Sequence, residues 1–464
     1  MEFSAKQFLK AAGGKIFQEG TEEFCRGIST DSRTVQKGEL FFALKGPYFD
    51  GHKFCEEVLQ KGAWGVVVQN QKSKIKNQKF GWIFGVGDTL QALGDIARWW
   101  RGQFKIPVVA ITGSNGKTTT KEMIASILSV DRKILKTEGN FNNLIGLPLT
   151  LNRLDKKHEA AVLEMGMNAA GEIARLTEIA APTVGVVTNA ASAHLEKLHT
   201  VEAVAKAKSE LYEVMNPKGT AVYNAEDPYL SKFVKDFKGK KFSFGMGSEA
   251  DIHFEHMECV GFDSMDLKLS VQGKILKTHL KTAGIHNVMN AMAATAAALA
   301  LKISLTEMDE GLKNFVPLKM RFEQIQLANG VRLVNDAYNA NPLSMAAAFR
   351  TVGSAKRAGR FIAVLGDMKE LGGGAPALHE EVGRSAVEHG VEKLLLLGEF
   401  ASDMARGANQ AGLNSNKVIV VKDDQEAVEI LEKEMQAGDV VLVKASRAMK
   451  LETIVEDLKE RFGI

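Results

Sequence analysis

The stretch that decides the fold is Ile111-Thr112-Gly113-Ser114-Asn115-Gly116-Lys117-Thr118-Thr119-Thr120. A short β-branched run at 108–111 leads into it, and apolar residues at helical spacing between 123 and 128 follow it. A glycine loop between a strand and a helix is typical of phosphate binding, because backbone N–H groups and the helix N-terminus favour an anion. The setting favours this interpretation over a glycine turn before a surface helix, although Ile111 stands where the usual G-x-x-x-x-G-K-[ST] pattern begins with glycine.

The residues of this loop have distinct roles at a nucleotide phosphate. Lys117 carries a full positive charge for the outer phosphates, and the Thr118 hydroxyl can reach Mg²⁺. The glycines let the backbone wrap closely around the phosphate. The predicted nucleotide-binding set is Gly113, Ser114, Asn115, Gly116, Lys117, Thr118 and Thr119.

The pattern on both sides of the loop predicts an α/β fold with three domains. Short apolar runs alternate with helical periodicity, which indicates mostly parallel sheets. An alanine-rich helix is predicted over 286–301, and the turn at 272–274 predicts a hairpin. The predicted strands lie at 64–68, 82–86, 108–111, 160–163, 184–187, 265–271, 275–280, 331–334, 361–365, 393–397, 417–421 and 440–443.

Changes in this pattern place the predicted domain boundaries near residues 105 and 317. Residues 1–105 are expected to form a small mixed N-terminal domain. Residues 106–317 would be a central P-loop ATPase-like domain with a parallel sheet, and residues 318–464 a C-terminal Rossmann-like α/β domain. A chain of 464 residues accommodates three domains at roughly 100–200 residues each.

Composition excludes several classes of protein. The net charge of +3 is too small to indicate nucleic-acid binding. The three cysteines have no CxxC spacing, which argues against a disulfide framework or a zinc site. No apolar signal-peptide core opens the sequence, and no run approaches the ~18 apolar residues of a membrane span. We therefore expect a cytoplasmic protein without a membrane span.

An acidic residue and a histidine follow two of the predicted strands. Glu164 comes directly after 160–163, and His194 comes a few residues after 184–187. Because ligands of open parallel sheets bind beyond the carboxyl ends of strands, both side chains would lie beside the phosphate loop. Glu and His ligands there suit Mg²⁺. The alternatives are a salt bridge at the strand end for Glu164 and an ordinary loop histidine for His194.

Lys208 stands where an apolar residue is expected. The segment 201–215 has an apolar stripe at helical spacing, and Lys208 lies on that stripe, seven residues after Val201. A buried lysine tends to lose its proton, and a neutral amine can react with CO₂ to give a metal-binding carbamate. On these residues alone, a lysine that reaches solvent from the edge of the stripe is the simpler interpretation.

These residues, together with a series of further motifs, resemble the Mur ligase family over essentially the whole chain. The loop at 112–118 matches the family pattern TGxNGKT. The other similar segments are Ser29-Thr30-Asp31-Ser32-Arg33, Asp50-Gly51-His52, Gly139-Asn140-Phe141-Asn142-Asn143, Gly284-Ile285-His286-Asn287, Asp336-Ala337-Tyr338-Asn339-Ala340-Asn341-Pro342, Leu365-Gly366-Asp367-Met368 and Ser446-Arg447-Ala448-Met449.

The resemblance implies an ATP-dependent ligase that forms an amide bond at a site with Mg²⁺. In the family, a glutamate, a histidine and a carbamylated lysine hold two Mg²⁺ ions around the γ-phosphate. The matching positions are Glu164, His194 and Lys208, which reverses the simpler interpretation of Lys208. The implied catalytic residues are these three and Lys117, and Thr118 joins the metal ligands.

The resemblance also implies how the nucleotide is held. Asn287 would orient adenine, Arg321 would contact a phosphate and Asp336 would hold the ribose. Because Arg321 and Asp336 belong to the predicted third domain, that domain would have to close over ATP.

The remaining motifs indicate the substrates. Within the family they are similar to the branch that joins D-alanyl-D-alanine to UDP-N-acetylmuramoyl-tripeptide through an acyl phosphate. The C-terminal domain would then bind the dipeptide, and the chain would be a monomer. The implied substrate-binding residues are Ser32, Arg33, Asn140 and Asn143.

Three departures from the family pattern and three alternative functions remain. Ser209 and Ala445 replace glycines, and Met320 precedes Arg321 where glycine is more frequent. The alternatives within enzymes are another Mur ligase or a folylpolyglutamate synthase-like amide ligase. The alternative from a different class is a P-loop nucleotide switch that makes no bond.

Overall fold

The structure is a computed structural model that describes residues 1–69, 81–192, 195–260, 263–355 and 358–463. In these ranges the strands form three larger sheets and one two-stranded pair. The three larger sheets follow one another along the chain. Among the same residues, no helix is long and apolar enough to cross a membrane.

The first sheet lies between Lys15 and Val86, in the order β2-β7-β6-β5-β4, with β2 antiparallel and the other strands parallel. The Phe8 and Phe84 rings meet in its core at a centroid distance of 4.5 Å. The elements of this unit are β1 (Phe3–Ser4), α1 (Ala5–Ala12), β2 (Lys15–Gln18), β3 (Phe24–Cys25), β4 (Ile28–Ser29), β5 (Leu40–Phe42), α2 (Cys55–Gln60), β6 (Gly65–Gln69), β7 (Trp82–Val86) and α3 (Thr89–Arg101). Strands β1 and β3 form the separate two-stranded pair.

The second sheet has nine strands among the residues described. The elements of this unit are β8 (Val108–Thr112), α4 (Lys117–Leu128), β9 (Ile134–Lys136), α5 (Gly146–Asn152), β10 (Ala160–Glu164), α6 (Glu172–Ala180), β11 (Val184–Val187), α7 (Leu195–Leu198), α8 (Val201–Val214), β12 (Thr220–Asn224), α9 (Pro228–Phe233), β13 (Lys240–Gly245), β14 (Ile252–Val260), β15 (Ser264–Val271), β16 (Lys274–Leu280), α10 (Ile285–Ala300) and α11 (Leu305–Asn314). The strand order is β16-β15-β14-β13-β12-β11-β8-β10-β9.

Strand β8 lies between β10 and β11 and is parallel to both. Because side chains alternate along a strand, Val109 and Ile111 pack against α4 and α10, whereas Val108 and Ala110 pack against α6 and α8 on the other face. Helices therefore cover both faces of the sheet, which explains why β8 is apolar throughout. The phosphate loop begins where this central strand ends.

The third sheet has the order β17-β18-β22-β19-β20-β21, in which only β17 is antiparallel among the strands described. Helices again pack on both faces. The elements are β17 (Glu323–Gln326), β18 (Arg332–Asn335), α12 (Pro342–Ser354), β19 (Phe361–Leu365), α13 (Ala375–Glu388), β20 (Lys393–Leu396), α14 (Ala401–Gln410), β21 (Val418–Val420), α15 (Asp424–Glu434), β22 (Val440–Lys444) and α16 (Glu452–Phe462).

The predicted α/β class and the three-part architecture are confirmed. The predicted hairpin is present as β15 and β16, joined by Gln272 and Gly273 with φ of +49° and +79°. The sequence did not predict β14. This strand pairs with β15 but exposes several of its side chains. It therefore lacks the apolar run by which the predicted strands were identified.

Candidate functional site

The phosphate loop closes tightly on the residues after β11 and on α10. The Asn115 amide donates to Asn189 Oδ1 at 3.0 Å, and the Thr188 hydroxyl donates to the Asn115 carbonyl at 2.6 Å. Gly116 has φ of +78°, and a Cβ there would lie 2.2 Å from Asn290 Oδ1. Gly113 is equally constrained, because its Cβ would lie 1.9 Å from the Thr188 hydroxyl. Glycine is therefore required at both positions.

Lys117 is the first residue of α4, and its side chain folds back over the loop. Its Nζ donates to the carbonyls of Gly113 at 2.7 Å and Ser114 at 3.2 Å. Burial lowers the Lys117 pKa, the Glu164 carboxylate opposes that shift, and the charge of Arg321 adds to it. The charges of Glu164 and Arg321 both act on Lys117, so both side chains lie in the neighbourhood of the phosphate loop. Thr118 and Thr119 follow it, partly exposed, in the first turn of α4.

Glu164 ends β10 and pairs with Ile111 of β8, so it lies beside the phosphate loop as expected from parallel strands. Its carboxylate is 3% exposed. Oε1 accepts from Asn142 Nδ2 at 2.8 Å, while Oε2 is buried without a hydrogen-bond partner among the described residues. A buried, unpartnered carboxylate oxygen is costly unless a cation occupies the space beside it.

Lys208 lies on the buried face of α8 and is 1% exposed. It does not reach solvent from the edge of the stripe. Burial moves the Lys208 pKa well below its ordinary value, and the charge of Lys117 adds to that shift. The neighbouring Ser209 is also buried, and its hydroxyl has no hydrogen-bond partner within the described ranges. The lowered pKa favours the uncharged amine, and the influence of Lys117 on it shows that Lys208 lies near the phosphate loop.

His194 lies outside the described residues. The segment that follows it, α7, contacts the third sheet's unit, because the Glu196 amide donates to the Glu370 carbonyl at 3.3 Å. Glu370 has φ of +64°, a conformation that is uncommon for a residue with a Cβ. The loop after β19 thus touches the same edge of the central sheet as the phosphate loop.

The third unit also reaches the phosphate loop directly. Asn115 and Asn341 exchange two side-chain hydrogen bonds, of 3.2 Å and 2.7 Å. Asn341 caps α12, with its Oδ1 accepting from the Ser344 amide at 3.0 Å. The Arg321 guanidinium lies 4.0 Å from the centroid of the Tyr338 ring. Asn341 therefore contacts the loop, and Arg321 lies near enough for its charge to act on Lys117.

The residues predicted to contact the base and the ribose already have partners. Asn287 is buried, and its Nδ2 donates to Thr282 Oγ1 and to the Ala283 carbonyl, each at 2.9 Å. Asp336 Oδ1 accepts from the Phe322 amide at 3.0 Å, and Oδ2 accepts from Lys444 Nζ at 2.6 Å. A carboxylate has about four acceptor positions, so Asp336 retains capacity for a ribose hydroxyl.

The predicted residues of the UDP end lie in the first unit. Ser32 is buried, whereas the Arg33 side chain is 84% exposed and forms an ion pair with Asp31 at 2.6 Å. Hydrogen bonds from Arg33 lower the Asp31 pKa to about 2. The guanidinium thus remains accessible to a ligand.

The two asparagines predicted to bind substrate lie on the loop between β9 and α5. Asn140 is exposed, and Asn143 Oδ1 accepts from the amides of Ile145 at 3.1 Å and Gly146 at 2.8 Å. Asn142 lies between them in sequence and donates to Glu164, but it was not among the predicted site residues. The motif contains Asn140, Asn142 and Asn143, but only the fold shows that Asn142 is the one that reaches the Glu164 carboxylate.

Protein-family models match almost the whole of this arrangement. The Mur ligase family catalytic domain matches residues 25–98, the Mur ligase middle domain matches 111–298, and the Mur ligase glutamate ligase domain matches 320–447. These three segments correspond to the three sheets.

Individual proteins are similar along the full length. The UDP-N-acetylmuramoyl-tripeptide–D-alanyl-D-alanine ligase of Bacillus subtilis is 35% identical, covering 94% of this chain and 93% of its own. A crystal structure of MurF from Acinetobacter baumannii has a TM-score of 0.91 at 32% identity and covers 99% of each chain. MurF ligase from Thermotoga maritima in complex with ADP has a TM-score of 0.81 at 29% identity, covering 94% of this chain and 98% of its own. The chain belongs to the Mur ligase family.

Proposed function

We propose that this chain is the ATP-dependent ligase that joins D-alanyl-D-alanine to UDP-N-acetylmuramoyl-tripeptide. The observation that carries the proposal is the placement of Lys117, Glu164 and the buried Lys208 near one another at one edge of the central sheet. The likeness to ligases of that name over nearly the whole chain supports the choice of substrates.

The reaction expected from the family begins with the carboxylate of the tripeptide attacking the γ-phosphate of ATP. The resulting acyl phosphate then reacts with the amine of D-alanyl-D-alanine, which forms the amide bond and releases phosphate. Neutralising and positioning the transferred phosphoryl group is the main demand of such chemistry. Lys117 and the backbone amides of the first turn of α4, which have no acceptor within the helix, would meet this demand at the outer phosphates.

The residues present fit Mg²⁺. The buried Oε2 of Glu164 has no hydrogen-bond partner in the described part of the chain, and a carboxylate oxygen is a preferred magnesium ligand. Bound there, Mg²⁺ would offset the negative charge of the ATP phosphates. We propose Glu164, the Thr118 hydroxyl and His194 as its ligands, with Asn142 fixing the orientation of the Glu164 carboxylate.

Lys208 is proposed to act as a carbamate. As a neutral amine its Nζ can attack CO₂, forming an N–C bond and releasing one proton to leave an anion. The product would place a second anionic group near Lys117 and Glu164 and supply a further oxygen ligand for Mg²⁺. The modification would also relieve the burial of a bare amine between Ser209 and Lys117.

The remaining nucleotide contacts are proposed for Asn287 at adenine, Asp336 at the ribose and Arg321 at a phosphate. Arg321 already lies close enough for its charge to lower the Lys117 pKa. The pair of Asn115 and Asn341 would hold the third domain, proposed as residues 318–464, over the nucleotide. That closure would exclude water from an acyl phosphate, which water would otherwise hydrolyse.

Each of the three domains is proposed to contact part of the peptide substrates. Ser32 and Arg33 of the first domain, proposed as residues 1–105, would bind the UDP part of the substrate, and Asn140 and Asn143 of the central domain, proposed as residues 106–317, would also contact the substrate. The C-terminal domain would bind D-alanyl-D-alanine. We further propose that the protein is cytoplasmic and, as expected from the resemblance to the family, a monomer.

The experiment mixes purified protein with ATP, Mg²⁺, D-alanyl-D-alanine and UDP-N-acetylmuramoyl-tripeptide, and parallel reactions omit one component each. Phosphate release that requires both peptide substrates and yields a UDP-linked pentapeptide by mass supports the proposal. ATP hydrolysis indifferent to both peptides would contradict it and would favour a nucleotide switch.

A further inference from the structure

We propose that Lys444 is a positioning residue for ATP, because it fixes, through Asp336, the turn that presents Arg321 to the phosphate loop. The inference rests on the nucleotide-binding role proposed above for Arg321. Lys444 is the last residue of β22, the strand that pairs with both β18 and β19 in the third sheet.

Lys444 is one of the most buried charged residues of the third unit. Its side chain is 2% exposed, and its Nζ donates to Asp336 Oδ2 at 2.6 Å and to the Asn339 carbonyl at 3.0 Å. A buried ammonium is expensive unless it is paired and hydrogen-bonded, so its position is tightly determined by these two acceptors. It ties the end of β22 to the segment 336–339, which follows β18.

Asp336 passes this constraint to the turn before β17. Its second oxygen, Oδ1, accepts from the Phe322 amide at 3.0 Å. Met320 and Phe322 have φ of +60° and +58°, so the two neighbours of Arg321 both adopt a left-handed conformation that disfavours residues with a Cβ. Such a conformation persists only where the surrounding structure holds it.

Further contacts of the same turn come from the same segment. The Tyr338 amide donates to the Met320 carbonyl at 3.2 Å, and the Tyr338 ring lies under the Arg321 guanidinium. Lys444 therefore acts on Arg321 indirectly. It holds Asp336 and Asn339, and the segment 336–339 in turn holds the turn that carries Arg321. This role leaves Asp336 free to accept a ribose hydroxyl with its remaining lone pairs.

The test measures binding of a non-hydrolysable ATP analogue with Mg²⁺ to the full chain by titration calorimetry. We expect Lys444→Met and Arg321→Ala each to raise the Kd at least about fivefold. Because Lys444 is proposed to act through the turn that carries Arg321 and not through the ribose contact of Asp336, the double variant should bind within about twofold of Arg321→Ala alone. If Lys444→Met does not fold, Lys444→Gln, which keeps a donor without the charge, takes its place.

The matched control is Lys393→Met. Lys393 begins β20 and so lies at the opposite end of the parallel strands of the same sheet; its side chain is 11% exposed, and it pairs with Glu434. This control should lose stability without a change in the Kd. A wild-type Kd for Lys444→Met, or multiplying effects in the double variant, would overturn the inference while leaving the proposed function intact. A wild-type Kd for Arg321→Ala would instead overturn the proposed nucleotide contact itself, and the inference with it.

Discussion

Asn115 of the phosphate loop and Asn341 at the start of α12 form a reciprocal amide pair across 226 residues of sequence. Asn115 is held in place by Thr188 and Asn189, which follow β11. Asn341 is held by its capping bonds to Ser344. The pair therefore joins two preorganised groups, one on each unit, and ordering them costs little additional entropy.

Breaking this pair should impair the use of ATP. Asn115→Ala removes both bonds, and at about 1 kcal/mol each we expect kcat/KM for ATP to fall roughly 30-fold. Asn341→Ser should have the same effect while keeping the helix cap, because a serine hydroxyl accepts from the Ser344 amide equally well. Steady-state kinetics and the melting temperature are the measurements. Equal kcat/KM in wild type and both variants would show that the pair makes no contribution.

We expect Lys208 to lower the free energy of unfolding, although its carbamate is needed for activity. Its folded-state pKa lies below its ordinary value of 10.5, so between the two values the unfolded chain binds the additional proton. The free energy of unfolding therefore rises with pH between the two pKa values. Lys208 destabilises the fold most at pH values below both of them. In buffer free of CO₂, Lys208→Met should raise the melting temperature near neutral pH, by roughly 2–4 °C per kcal/mol relieved, with a smaller gain as pH approaches 10.

The same variant should be inactive, because it cannot form a carbamate. The matched control is Lys206→Met, an exposed lysine on the same helix, which should change neither melting temperature nor activity. Wild-type activity should rise when bicarbonate is added to CO₂-depleted protein. An active Lys208→Met variant would refute the proposed role of this residue.

Glu164 should determine the magnesium requirement. Glu164→Gln keeps the shape of the side chain and an acceptor for Asn142 but removes the charge. We expect kcat to fall at least about 100-fold and the Mg²⁺ concentration for half-maximal rate to rise. Glu159→Gln, an exposed residue at the opposite end of β10, is the control. An unchanged magnesium dependence in Glu164→Gln would place the metal elsewhere.

Arg33 should affect only the UDP-linked substrate. Its guanidinium is exposed, so Arg33→Ala should leave the melting temperature unchanged and raise KM for UDP-N-acetylmuramoyl-tripeptide about tenfold, with KM for ATP as in wild type. Arg26→Ala, another exposed arginine of the first unit, serves as the comparison. A rise in both KM values would indicate a general disturbance instead of a lost contact.

Local patterns in the sequence predicted much of the central site. The apolar run of β8 and the glycine loop predicted the strand, loop and helix at the proposed nucleotide site, and parallel strands predicted Glu164 at the same edge. The helical stripe placed Lys208 among apolar residues, although resemblance was needed to favour burial. These predictions depend on residues close together in sequence or on the general geometry of parallel sheets.

The contacts from the third unit were not predictable from local patterns. Lys444 and Asp336 are 108 residues apart, and each alone resembles an ordinary residue at a strand end. Asn341 was visible in a motif, but its partner Asn115 lies in a different unit. Such pairs depend on how whole sheets pack, which no spacing or periodicity reports.

The measurement that tests the central claim most directly follows an oxygen atom. UDP-N-acetylmuramoyl-tripeptide labelled with ¹⁸O in its terminal carboxylate is converted in unlabelled water with ATP and D-alanyl-D-alanine, and the released phosphate is analysed by mass. In the acyl phosphate route, one oxygen of the carboxylate attacks the γ-phosphate and later departs with it. Each released phosphate should therefore contain one ¹⁸O. Unlabelled phosphate would contradict the acyl phosphate route and the ligase function proposed for this chain.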